Sequence, residues 1–138
     1  QCLVDHGSRA ATDITGFGLL GHLVEMVRAS EVDVELELDA VPLMDGAEDT
    51  ARAGILSSLQ PQNVRLRRAV TNLEEAGKDP RYPLIFDPQT AGGLLASVPA
   101  DRADACVVKL KELGYGRTMI VGTVLEQSDR LEPITVKI

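Results

Sequence analysis

The spacing of apolar residues changes from a helical repeat to a strand repeat between Leu19 and Leu38. Across residues 19–27 they recur every three or four positions, which predicts a helix of about 12 residues with a broad apolar face. Across residues 32–38 they alternate with acidic residues, which predicts a half-buried strand whose carboxylates face water. Because each element has one apolar face to bury, we expect helices packed on a sheet.

Glycine and proline residues indicate where further elements end. Gly54, Gly77 and Gly114 each follow a helical pattern, and Gly54 suits the left-handed conformation in which many helices end. Pro80 and Pro83 mark a loop. The predicted helices span residues 45–53, 61–76 and 101–113, and the predicted strands span residues 94–98, 119–125 and 134–138. A chain of 138 residues fits one domain, so we predict a single domain with helices around a mixed sheet.

Charge and composition exclude several classes of protein. A net charge of −7 argues against a nucleic-acid partner, which requires a basic face. No apolar run approaches about 18 residues and residues 1–10 lack a signal-peptide pattern, so we expect a soluble, cytoplasmic protein with no membrane partner. Two cysteines are too few for a disulfide framework; Cys106 is expected in the core, and Cys2 lies near the terminus. The first methionine is Met26, so we expect the chain to belong to a longer protein.

The segment from Ala11 to His22 contains three glycines spaced as GxGxxG ahead of the first helix. This spacing alone is weak evidence for a dinucleotide site, because no apolar strand is predicted before it. It does indicate a tight backbone at a helix start, with N–H groups that can face an anion or a neighbouring domain. His22 lies within the helix, where a lone histidine is usually structural.

Asp13 precedes this turn, between Thr12 and Thr15. One interpretation is a turn or capping carboxylate that accepts hydrogen bonds from nearby backbone N–H groups. The other is a ligand for Mg²⁺, which usually takes one or two carboxylates beside phosphates and waters. The spacing leaves both open.

A second segment, from Asp87 to Leu95, has a proline after its carboxylate and a pair of glycines before a predicted strand. It is either a tight loop with a bulge or a loop that lies against a phosphate or a partner domain. The basic run from Arg65 to Arg68 is most simply a solvated helix face, and the alternative is a role in countering phosphate charge.

Taken together, ATDITGFGLLGHLVEM at residues 11–26 and DPQTAGGLL at residues 87–95 closely resemble the selenophosphate synthetase family. Pro42-Leu43, Gly46-Ala47 and Asn63 also resemble the family pattern. The resemblance covers essentially the whole chain and places it as the second of two domains. It implies an α+β fold, a three-layer α/β/α sandwich shared with aminoimidazole ribonucleotide synthetase. It also implies that ATP, selenide and water yield selenophosphate, AMP and phosphate, with Mg²⁺ as cofactor.

The resemblance further implies which residues take part in function. Asp13 is expected to bind Mg²⁺ together with aspartates of an N-terminal domain, which would also supply the catalytic residues and most of the ATP site. No catalytic residue is expected in this chain, and a homodimer of the longer protein is implied. The residues expected at a phosphate or interdomain loop are Thr12, Thr15, Gly16, Gly18, Asp87, Gln89, Thr90, Gly92 and Gly93.

Two alternatives to this function are open. The chain could belong to another ATP-dependent synthetase or kinase with the same fold, although those relatives do not share both motif strings. It could also be a non-catalytic binding or regulatory module.

Overall fold

A computed structural model describes all of residues 1–138 as six α-helices, five β-strands and three short 3-10 helices. The α-helices are α1 (Cys2–Asp5), α2 (Gly18–Ser30), α3 (Ala47–Arg52), α4 (Gln60–Asn63), α5 (Leu73–Ala76) and α6 (Ala100–Glu112). The strands are β1 (Ala10–Asp13), β2 (Val32–Glu37), β3 (Leu94–Ser97), β4 (Gly122–Glu126) and β5 (Ile134–Lys137). The 3-10 helices span Leu38–Ala40, Val64–Ala69 and Tyr82–Phe86. None of the helices is both long enough and apolar enough to cross a membrane.

A mixed three-stranded sheet has the order β4-β2-β5. Strand β2 pairs antiparallel with β4 and parallel with β5, so that Val34 lies opposite Val124 on one side and Ile134 on the other. The outer edge of β5 is also paired, because Val70 forms a bridge with Ile134 and Asn72 exchanges hydrogen bonds with the backbone of Val136. An edge strand covered in this way is protected from pairing with another chain.

The hydrophobic core lies between α2 and this sheet. Its members have apolar side chains that are almost wholly removed from water, each worth about 1.5–3 kcal/mol on burial. The core includes Leu20, Leu23, Val24 and Val27 from α2, Val34 and Leu36 from β2, Ile134 and Val136 from β5, and Val70, Ile85 and Phe86 from the connecting segments. The helix ends at Glu31, which adopts the left-handed conformation with φ 52°.

A second, two-stranded sheet forms where β1 pairs antiparallel with β3. Helix α6 follows β3 and contacts α1, and Cys106 is its one buried residue, as expected from the sequence. This part of the chain therefore lies beside the main core and is joined to it by α2 and its partly buried neighbours Ile14 and Leu95.

The α+β class with a mixed sheet is confirmed, and so are the predicted helix 19–27, the strand 32–38 and the left-handed Gly54 at the end of α3. The predicted helix 61–76 is wrong as a continuous element. It consists of α4, a 3-10 segment and α5, and it is broken at Val70, whose extended backbone pairs with Ile134. This long-range pairing competes with the local helical spacing and prevails at that position.

Two further predictions are corrected. The loop marked by Pro80 and Pro83 contains the 3-10 helix Tyr82–Phe86. The carboxylate of Asp33 does not face water: the residue is only 3% exposed and accepts hydrogen bonds from the backbone N–H and hydroxyl of Ser128. The loop after β4 closes over this position, which the alternation within β2 could not reveal.

Candidate functional site

The two sequence motifs form one continuous structural unit. Strands β1 and β3 place Asp13 opposite Leu94, at the end of the two-stranded sheet. Pairing continues beyond the strands, because the Ile14 N–H donates to Gly93 O at 2.9 Å and the Gly92 N–H donates to Ile14 O at 3.0 Å. The Gln89 N–H then donates to Thr15 O at 3.0 Å. The residues predicted at a phosphate or interdomain loop are therefore neighbours in space.

Two glycines allow this close approach. A Cβ atom on Gly92 would overlap the carbonyl oxygen of Ile14. Gly18 has φ +69°, and a Cβ atom there would lie 2.8 Å from the carbonyl carbon of Phe86. Because both obstacles are backbone atoms, a side chain at either position would force the two motif segments apart.

Asp13 has an exposed side chain at the end of β1. Its carboxylate takes part in no hydrogen bond or ion pair within the chain, so the capping interpretation of this residue finds no support. The neighbouring Thr12 hydroxyl is directed to the backbone and donates to Asp13 O at 3.2 Å. The Asp13 carboxylate is consequently free to bind a ligand from outside the chain.

Asp87 differs from Asp13 in its surroundings. It is half-buried, and this burial raises its pKa, while a hydrogen bond from Gln89 Nε2 at 2.7 Å to Asp87 Oδ2 acts in the opposite direction. The Gln89 side chain is thus held against Asp87 and does not face solvent freely. We assign this pair to the internal support of the loop.

Several backbone donors of the two segments have no partner within the chain. The N–H groups of Gly16, Thr90, Ala91 and Gly93 are all in exposed residues and make no hydrogen bond within the chain. Backbone N–H groups that point to solvent in a glycine-rich loop can bind an anion such as a phosphate, or the carbonyl groups of another domain. The arrangement thus combines one free carboxylate with several free donors.

A comparison of the sequence with known families shows the family of the chain. The model for the C-terminal domain of AIR synthase related proteins matches residues 1–132. The chain belongs to this family. Both motif segments lie within the matched region.

Curated relatives of this AIR synthase related domain bear the name selenide, water dikinase. The protein of Clostridioides difficile is 39% identical over 88% of the chain, and that of Caldanaerobacter subterraneus is 40% identical over 94%. The protein of Rhizobium meliloti is 36% identical over 95% of the chain. The chain spans only 35–38% of the length of these relatives.

Two side chains that support the site had no role assigned from the sequence. Asn63 is 6% exposed, and its Nδ2 donates to Gly16 O at 2.8 Å and to Phe86 O at 3.0 Å, which joins the turn before α2 to the start of the second motif. His22 is 7% exposed, and its Nε2 accepts the N–H of Thr15 at 3.1 Å. Asn63 matches the family pattern and His22 lies within the first motif, but neither signal indicated these contacts.

The basic run lies on the 3-10 helix Val64–Ala69. Arg65, Arg67 and Arg68 are exposed and form no ion pair within the chain. Between them Leu66 packs toward α2, with its Cδ1 atom near Gly21. The interpretation as a solvated face agrees with these positions.

The variant Asn63→Asp should destabilise this AIR synthase related domain at neutral pH. It replaces the donor amide by a carboxylate that faces two carbonyl oxygens, and leaving buried acceptors without partners costs about 1–3 kcal/mol. Acidic pH should restore part of the stability, because a protonated carboxyl can donate to one carbonyl. Urea unfolding at two pH values measures this. Gln62→Glu, which adds the same charge at an exposed neighbour, is the control, and an equal loss in both variants would contradict the role of Asn63.

Proposed function

We propose that residues 1–138 form the C-terminal domain of a selenide, water dikinase. This enzyme would convert ATP, selenide and water into selenophosphate, AMP and phosphate, and it would act as a homodimer. The pairing of the two motif segments around Asp13 is the observation that carries the proposal. The names of the curated relatives support the same reaction.

Asp13 has the properties expected of one Mg²⁺ ligand. Its carboxylate is a hard oxygen donor, it is exposed, and no group in the chain competes for it. Mg²⁺ binds through one or two protein carboxylates and completes its shell with phosphate oxygens and water. When bound, the ion would neutralise phosphate charge and position the phosphoryl group that is transferred.

The other residues of the site would act on the phosphates or on the N-terminal domain. The free N–H groups of Gly16, Thr90, Ala91 and Gly93 are suited to donate hydrogen bonds to phosphate oxygens or carbonyl groups. Asn63, His22 and the Asp87–Gln89 pair would hold these donors in position. A preorganised set of donors costs little reorganisation when charge develops during transfer.

The location of the metal ligand suggests how the two domains would cooperate. If the remaining Mg²⁺ ligands lie on the N-terminal domain, the coordination shell of the ion is complete only when the two domains close. Closure would then assemble the site and exclude water from it.

The chain alone should form no selenophosphate, because one carboxylate holds Mg²⁺ too weakly and the catalytic groups are expected elsewhere. The longer protein that joins an N-terminal domain to this chain should convert ATP to AMP in the presence of selenide. Chromatography of the nucleotides and phosphorus NMR of the products measure both reactions. Formation of ADP as the end product would instead indicate another kinase of the family, and AMP formation by the chain alone would contradict the division of labour.

A further inference from the structure

Two cysteines and a histidine converge where α1 contacts α6, away from the motif segments. Cys2 lies in α1, His6 is the residue at its C-terminal cap, and Cys106 lies on the inner face of α6. One potential ligand atom from each of the three residues lies within 4.8 Å of the other two. Cys2 and Cys106 are the only cysteines of the chain, and they are brought together although they lie 104 positions apart in the sequence.

The separations are close to those of a tetrahedral metal site. Zn²⁺ binds thiolate sulfur at about 2.3 Å and imidazole nitrogen at about 2.0–2.1 Å, which places neighbouring ligand atoms about 3.5–3.8 Å apart. Cys2 Sγ and His6 Nδ1 are 3.7 Å apart. The outer limit of 4.8 Å for the set exceeds the ideal by about 1 Å, and a small rotation of one side chain can close that difference.

The surroundings of the three side chains also suit a bound metal. Cys106 is only 2% exposed, so a metal ion bound there would be largely shielded from water. Cys2 and His6 are half-buried, which leaves an entry path from solvent. His6 Nδ1 lies 2.8 Å from Cys2 O, a contact that the ring would exchange for the metal while the proton moves to Nε2.

We propose that Cys2, His6 and Cys106 bind one Zn²⁺ ion. Two thiolates and one imidazole form a ligand set that favours zinc over magnesium or calcium, which prefer oxygen ligands. The fourth position would take water or a small soft anion such as a thiolate. The ion would join α1 to α6, which already contact each other.

Binding of Co²⁺ as a spectroscopic probe tests the site directly. The chain should bind one Co²⁺ with thiolate-to-metal charge-transfer absorption and the visible bands of tetrahedral cobalt, and Zn²⁺ should displace it with loss of colour. Zinc binding should release about two protons, one from each thiol. Zinc should also raise the unfolding temperature of the reduced chain.

Variants separate this site from weaker surface binding. Cys2→Ser and His6→Asn change half-buried residues, so both should fold, and each should lower zinc affinity at least tenfold. Asp5→Asn changes an exposed carboxylate of the same helix and should leave the affinity unchanged. Absence of the charge-transfer absorption, or unchanged zinc affinity in both Cys2→Ser and His6→Asn, would overturn the proposal. Formation of a Cys2–Cys106 disulfide in air at the same rate with and without zinc would also overturn it.

Discussion

The variant Gly18→Ala should lower the free energy of unfolding by about 2–5 kcal/mol. About 1–2 kcal/mol is expected from a side chain at φ +69°, and about 1–3 kcal/mol from the contact of the new Cβ with the backbone of residues 85–87. Such a loss is large beside a typical domain stability of about 5–15 kcal/mol. Urea unfolding followed by far-ultraviolet circular dichroism measures it.

Gly46→Ala is the matched control for this experiment. Gly46 has φ +83°, close to that of Gly18, but no atom lies within 4 Å of a Cβ at this position. Its variant should therefore show the backbone cost alone, about 1–2 kcal/mol. Equal losses in the two variants would show that the start of the second motif moves away easily, and that the close approach at Gly18 is not a constraint on the site.

Local sequence patterns predicted the elements whose apolar residues all pack on one side of the element. Helix α2 and strand β2 are adjacent in the sequence and pack on the same core, so their two repeats were sufficient. Helix α6 was predicted within one residue at each end, and Gly114, which marked its C-terminal end, has the left-handed φ of 101°. These features act within a few residues of the element that they define.

Strand β1, the break at Val70 and the burial of Asp33 were missed, and each depends on a distant partner. Strand β1 is four residues long, and its sequence AATD has little strand preference. It is extended because β3 supplies its hydrogen bonds. The paired residues Asp13 and Leu94 are 81 positions apart in the sequence. The break at Val70 depends on Ile134, and the burial of Asp33 depends on Ser128. Spacing within the chain cannot reveal such partners, because they are set by tertiary packing.

The candidate site shows the same division. The sequence motifs indicated candidate residues, but not that β1 and β3 pair and bring the two motifs side by side. Nor did the spacing of the residues indicate how the surroundings of Asp13 differ from those of Asp87. The structure leaves the first carboxylate exposed and free, while it half-buries the second beside Gln89. The metal assignment of Asp13 is therefore the prediction that most needs an experiment.

In the proposed longer enzyme, Asp13→Asn should reduce activity at least tenfold, which corresponds to about 1.4 kcal/mol or more of transition-state stabilisation. Asparagine keeps the size of the side chain and one carbonyl oxygen, but it lacks the negative charge that attracts Mg²⁺ and balances the ion beside ATP. The free energy of unfolding should change by less than about 1 kcal/mol, because the Asp13 carboxylate makes no bond within the chain that the substitution could break.

Magnesium dependence distinguishes a metal ligand from a residue that contacts the other domain. If Asp13 binds the ion, raised Mg²⁺ should restore part of the activity of Asp13→Asn, since the lower affinity is offset by mass action. Asp129→Asn removes another exposed carboxylate, 116 positions later in the sequence, and should keep both the activity and its magnesium dependence. Full activity of Asp13→Asn at limiting Mg²⁺ would show that the metal is held elsewhere. A loss that no magnesium concentration alters would place Asp13 at the domain interface instead, because a contact between domains does not titrate with the ion.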